Sequence, residues 1–75
     1  MKELIEYIAK SLVDNPDQVH VEEIIGAHSV IYELHVAPED MGRIIGKGGG
    51  VANAMRTLLR VAAIKEGKRA VLEIV

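Results

Sequence analysis

The sequence predicts an α+β fold with the element order α-β-β-α-α-β, built as a three-stranded mixed sheet with its helices on one face. Three observations predict it. The N-terminal segment has the spacing of an amphipathic helix, two strand patterns flank a short turn, and a third strand pattern is reached through a helical crossover. Seventy-five residues, 49% of them hydrophobic, read as a single domain over residues 1–75, at the small end of what folds alone.

Leu4, Ile5, Ile8, Ala9, Leu12 and Val13 recur at helical spacing, with Lys2, Glu3, Glu6 and Lys10 on the other face. This helix should end near Asp14-Asn15, because the residue before Pro16 disfavours helical geometry. Val19 to Ile25 is rich in β-branched residues and reads as a strand, followed by a turn at Gly26-Ala27-His28-Ser29. Val30, Tyr32, Leu34 and Val36 then alternate with Ile31, Glu33 and His35, the period of a strand with one buried face. The two strands should pair as an antiparallel hairpin.

Pro38 suits the first position of a helix, and Glu39 and Asp40 suit the positive end of its dipole. That helix is short, since Gly46 to Gly50 interrupts it. A third helix is expected over Val51 to Glu66, with Lys65 in its last turn and Gly67 as its stop. Ala70, Leu72 and Ile74 alternate with Val71 and Glu73 in a final strand. A helical crossover between the second and third strands makes them parallel neighbours with a right-handed connection.

Composition narrows the chemistry. The chain has no cysteine, which excludes disulfides, thiol catalysis and thiolate metal sites. The N-terminal residues have acids in the first turn and no long apolar run, so neither a signal peptide nor a membrane span is expected, and the default location is the cytoplasm. Net charge is −2, but the charge is unevenly placed. Residues 1–42 hold Lys2 and Lys10 against nine acids. Residues 43–75 hold Arg43, Lys47, Arg56, Arg60, Lys65, Lys68 and Arg69 against only Glu66 and Glu73. A basic half of this kind marks an interaction surface better than the net charge does. His20, His28 and His35 lie in a turn and on different strands without metal-ligand spacing, so no metal site or cofactor is expected. Glu22-Glu23 and Asp14/Asp17 have no accompanying nucleophile and read as solvated surface; no active site is expected.

The segment Gly46-Lys47-Gly48-Gly49-Gly50 joins two helices. The free N–H groups and positive dipole of the following helix point at it, where an anion is stabilised. Glycines let a phosphate backbone approach the main chain closely, and Lys47 adds a compact positive charge. A flexible interhelical turn is the plainer reading, but a single glycine suffices for that. A Walker loop is rejected: Gly42 and Gly46 enclose only three residues, and Gly48 follows Lys47 where Ser or Thr belongs. A dinucleotide fingerprint fails as well, because Val51 stands where the last glycine belongs and a helix precedes the loop.

Ile44-Ile45-Gly46-Lys47-Gly48-Gly49 resembles the I-G-x-x-G motif of KH domains, whose loop clamps about four nucleotides of a single strand. The element order resembles the type II, bacterial version. The chain as a whole resembles the KhpA (YlqC) family, stand-alone KH proteins of about this size. The similar runs are Glu6-Tyr7-Ile8-Ala9-Lys10, Leu12-Val13-Asp14-Asn15-Pro16, Val36 to Gly42, Arg56-Thr57 and Lys65 to Arg69. The resemblance implies single-stranded RNA binding without catalysis, as an RNA chaperone or regulator. It also implies homodimerisation, heterodimerisation with a larger KhpB (Jag-type) KH protein, and a link to cell elongation and division. This chain has Gly50 where the family usually carries a basic residue, and Asn53 where it often carries another.

On this reading the RNA-binding residues are Arg43, Ile45, Gly46, Lys47, Gly48, Gly49, Gly50, Val51 and Arg56. With no Phe or Trp, and only Tyr7 and Tyr32, base stacking on aromatic rings is not expected. Ile45 and Val51 are candidates for an aliphatic groove, each being a fair core residue too. On the third helix, Val51, Met55, Leu58, Leu59 and Ala62 form the stripe expected to face the sheet. Ala54, Thr57, Val61 and Ile64 form a second stripe on the far side, either scattered surface or, as the resemblance favours, a dimer interface. A KH-shaped protein-docking module with weak or no RNA binding is the alternative function.

Overall fold

The structure is a computed structural model describing residues 1–75. Its elements are α1 (Lys2–Leu12), β1 (His20–Ile25), β2 (Ser29–His35), α2 (Met41–Ile45), α3 (Gly50–Lys65) and β3 (Arg69–Ile74). The sheet order is β1-β2-β3, with β1 antiparallel and β3 parallel to the central β2. The α+β class and the mixed three-stranded sheet therefore match the sequence reading.

Alternation decides which side of the sheet is covered. Val30, Tyr32 and Leu34 of β2 are buried together with Val21 of β1 and Leu72 of β3. Against them pack Ile5 and Ala9 of α1, Ile44 of α2, and Met55 and Leu59 of α3. Burial pushes the Tyr32 hydroxyl up to about 12, aided by the Glu23 carboxylate across the strand pair. The other face of the sheet is open. There the register sets Ile24, Ile31 and Val71 in one row and Glu22, Glu33 and Glu73 in the next. His20 and His35, which the sequence leaves on separate strands, are direct partners with ring centroids 5.8 Å apart. No three His, Asp or Glu side chains converge around a point that could hold a metal ion.

Two boundaries and one helix phase differ from expectation. α1 stops at Leu12 rather than near Asp14-Asn15, and Val13 is extended. The reason is a competing acceptor. The N–H groups of Asp14 and Asn15 donate to the carboxylate of Asp40, at 3.2 and 3.1 Å, instead of continuing the helical ladder. The segment expected to be one helix from Pro38 is a 3-10 turn, Pro38–Asp40, followed by α2. Asp40 does not cap that helix through its side chain; it is 1% exposed and points to α1's exit.

The third difference concerns the phase of α3. Its buried stripe is Ala52, Met55, Leu59 and Ala63, with Val51 half-buried. Leu58, expected to face the sheet, is instead 52% exposed. That phase, centred on Leu59, leaves Leu58 about 100° round the helix from the core. After Lys65 the chain closes as a Schellman motif around Gly67, whose φ is +70°. Gly67 N–H donates to Ile64 O at 3.0 Å and Lys68 N–H to Ala63 O at 2.9 Å. No helix is long and apolar enough to cross a membrane.

Candidate nucleic-acid interface

The loop between α2 and α3 is held by its own backbone. Gly46 N–H donates to Gly42 O at 2.9 Å and ends α2. Gly46 then takes φ 75° and ψ 171°, a region open essentially to glycine alone. A Cβ there would also sit 2.5 Å from Val51 Cγ2 and 2.9 Å from Val51 N. Gly46 is thus required twice over, by conformation and by packing. Lys47–Gly49 form a 3-10 turn in which Gly48 and Gly49 have φ of 62° and 78°. Gly49 N–H closes the turn on Gly46 O at 3.1 Å.

What this turn presents to solvent is chemically simple. α3 is 16 residues long and receives no side-chain cap at its N-terminus. Gly50 N–H, the first of the helix, donates to Lys47 O, and the positive end of the helix dipole lies behind the glycines. Gly48 is exposed, and a Cβ there would meet nothing within 4 Å, so a backbone phosphate can approach. Lys47 is exposed and makes no ion pair. Together these groups form an anion cradle with one free cation.

The remaining candidates flank this cradle. Ile45 is exposed on the last residue of α2, whereas Val51 is half-buried against the core and beneath Gly46. Ile45 is therefore the freer of the two aliphatic groups. Arg56 reaches from α3 to the edge strand, its Nε donating to Leu72 O and one terminal nitrogen to Asn53 Oδ1, both at 3.4 Å. It lies against the β3 edge, on the same side of α3 as Asn53. Arg43 turns the other way, 3.2 Å from the Asp14 carboxylate, so part of its charge is already compensated. Ala54, Thr57, Val61 and Ile64 are all exposed on the outer face of α3, away from the cradle, and Leu58 joins them.

Asp40 is the residue that sequence reasoning missed. Besides the two backbone donors, it accepts from Asn15 Nδ2 at 2.9 Å. The Asn15 amide holds its carboxyl below the usual aspartate range against the opposing effect of burial; the Asp14 and Asn15 N–H groups and the Arg43 charge lower it further. It ties the exit of α1 to the start of α2, two residues before Gly42. A carboxylate at a helix start looks like an ordinary dipole partner, and nothing local shows that it serves a segment 25 residues away.

An α-β-β-α-α-β chain with a parallel β2–β3 pair and a G-x-x-G turn between its second and third helices is a type II KH domain. Residues 2–74 match the family described as KhpA/KhpB, KH domain. The chain is 60% identical over 75 residues, covering all of both chains, to the RNA-binding protein KhpA of Clostridium perfringens (strain 13 / type A). It is equally similar, over the same coverage, to RNA-binding protein KhpA of Caldanaerobacter subterraneus subsp. tengcongensis. RNA-binding protein KhpA of Aquifex aeolicus is 50% identical over 74 residues, 99% of this chain and 94% of that one. The chain belongs to the KhpA family. No solved structure matches it.

Proposed function

We propose that this chain is a non-catalytic, single-stranded RNA-binding protein of the cytoplasm that grips the phosphate backbone with the Gly46–Gly49 turn. The observation that carries this reading is the N-terminus of α3, free of any side-chain cap, set behind left-handed glycines and an unpaired Lys47. Gly46, Lys47, Gly48, Gly49 and Gly50 would hold phosphates, and Arg43 and Arg56 would supply charge on either side. Ile45, with the edge of Val51, would line the base-facing groove. The name carried by its relatives, RNA-binding protein KhpA, supports the same reading. Replacing Lys47 and Gly48 by Asp sets two carboxylates where phosphate would sit. Fluorescence anisotropy with labelled single-stranded RNA should then show binding lost while circular dichroism stays that of the parent. A folded double variant that binds like the parent would overturn the proposal.

A dimer is part of this proposal. The outer face of α3 carries Leu58, Val61 and Ile64, at 52%, 52% and 67% exposure, beside Ala54 and Thr57. Large apolar side chains grouped on one exposed helix face favour self-association with two-fold symmetry, and the same face would accept a KhpB (Jag-type) partner. The proposed RNA chaperone or regulatory role, and its link to cell elongation and division, follow from the family resemblance. The same apolar face favours the second reading, a docking module with weak RNA binding, as does the absence of cations at Gly50 and Asn53. Retained dimerisation with no measurable RNA binding would select that second reading.

A further inference from the structure

Lys47, Arg43 and Arg56 account for only part of the basic half of this chain. Three more cations, Arg60, Lys68 and Arg69, line one concavity of about 420 Å³ between the C-terminal half of α3 and the start of β3. Its other walls are Ile64, Ala70 and Val71, and no carboxylate contributes to the lining. None of the three cations makes an ion pair. Two are set by backbone bonds: Lys68 N–H to Ala63 O at 2.9 Å and Arg69 N–H to His28 O at 3.0 Å. The backbone that carries two of the cations is therefore fixed, and the charge of all three is unspent.

Its position relates it to the loop. Arg56 and Arg60 are one turn apart on α3, and Arg56 reaches over the β3 edge at Leu72. β3 runs back alongside α3, so Arg56, bonded to Leu72, stands between the loop and this concavity. From Gly50 to Arg60 the helix rises about 15 Å.

We propose that an RNA strand gripped at the loop continues along the α3–β3 groove into a second subsite. There Arg60, Lys68 and Arg69 take backbone phosphates, and Val71 offers an apolar surface to one base. A stacked strand advances about 3.4 Å per nucleotide and an extended one further, so about four additional nucleotides at most span the distance. The footprint is then up to roughly eight nucleotides rather than the four of the loop alone. The inference rests on the loop reading given above. Ile64 borders both this concavity and the outer face of α3; Val61 is the position that probes self-association without touching the subsite.

The test compares four- and eight-nucleotide uridine oligomers, each titrated with salt, against the parent and Arg60→Ala/Lys68→Ala/Arg69→Ala. Each phosphate neutralised on a single strand adds about −0.7 to the log–log salt slope. Two or three more contacts on the longer oligomer steepen it by about 1.4 to 2.1, a roughly 7- to 18-fold greater loss of affinity between about 50 and 200 mM salt. The triple variant should bind the four-mer like the parent and lose this extra slope on the eight-mer. Arg60→Ala/Arg69→Ala, which changes only exposed side chains, should give part of the same loss and serves if the triple variant does not fold. Equal slopes for both lengths in the parent, with the four-mer bound, overturn the second subsite and leave the loop reading intact. Equal weakening of both lengths by the variant also overturns it, since the charge would then act from a distance. No binding of either length by the parent overturns the loop reading as well.

Discussion

Gly46→Ala should be far more damaging than Gly48→Ala, although both glycines have positive φ and lie two residues apart. At Gly46 the backbone sits in a region that costs a non-glycine residue about 1–3 kcal/mol. The added methyl would also lie 2.5 Å from Val51 Cγ2 and 2.9 Å from the Val51 backbone nitrogen. Rotating the valine relieves only the first contact, so α3 itself must shift. Overpacking of that kind costs about 1–3 kcal/mol more. The sum is about 2–6 kcal/mol, against a total stability of about 4–11 kcal/mol for 75 residues. At Gly48 a methyl would meet nothing within 4 Å, leaving only the left-handed penalty of about 1–2 kcal/mol. Urea unfolding followed by circular dichroism measures both. With a slope of about 1 kcal/mol per M, Gly46→Ala should lower the midpoint by about 2 M or more, and by clearly more than Gly48→Ala. Equal midpoints for the two variants would refute the close packing of Gly46 on Val51.

Four further outcomes follow from the same geometry. Ile64→Asp, and independently Val61→Asp, should give folded monomers by light scattering at micromolar concentration, because a dimer through α3 would bury an unpaired charge; a parent that is already monomeric there, or variants that stay dimeric, would exclude the interface. Asp40→Asn should lower stability at neutral pH and flatten its acid dependence. The folded carboxyl of Asp40 is held below its ordinary value of 3.8, so its stabilisation is complete above that value and is lost as pH falls through the lower folded one; parallel pH profiles for the two proteins in acid would contradict that role. Arg56→Ala should weaken RNA binding by a similar factor for every sequence, as loss of a phosphate contact does, and a change of preference at one base would contradict it. Arg43→Ala should cost less, its charge being shared with Asp14.

The parts of the fold legible in the sequence are those set by periodicity and backbone chemistry. Val30, Tyr32 and Leu34 alternate regardless of what lies around them, and Gly67 is the only residue at the end of α3 suited to its left-handed stop. The loop was legible because four glycines in five residues exceed what a turn requires. What stayed hidden depends on contacts between distant segments. Asp40 looks like a helix-start acid, yet it serves Asp14 and Asn15. The phase of α3 turned on whether Ala52 and Ala63 or the larger Leu58 faced the sheet, and the alanines are the ones buried. His20 and His35 became neighbours only through the hairpin register, and the Arg60–Lys68–Arg69 cluster only through the turn that folds β3 back along α3.

The central claim is that a backbone cradle with an unpaired lysine holds RNA phosphates. The most direct measurement is the salt dependence of binding to a short single-stranded RNA, made on the parent and on the Lys47→Asp/Gly48→Asp variant. With about two to four phosphates neutralised, the log–log slope for the parent should lie near −1.4 to −2.8, and the variant should show no binding to titrate. A flat response in the parent, or a variant with the parent's slope, would contradict it.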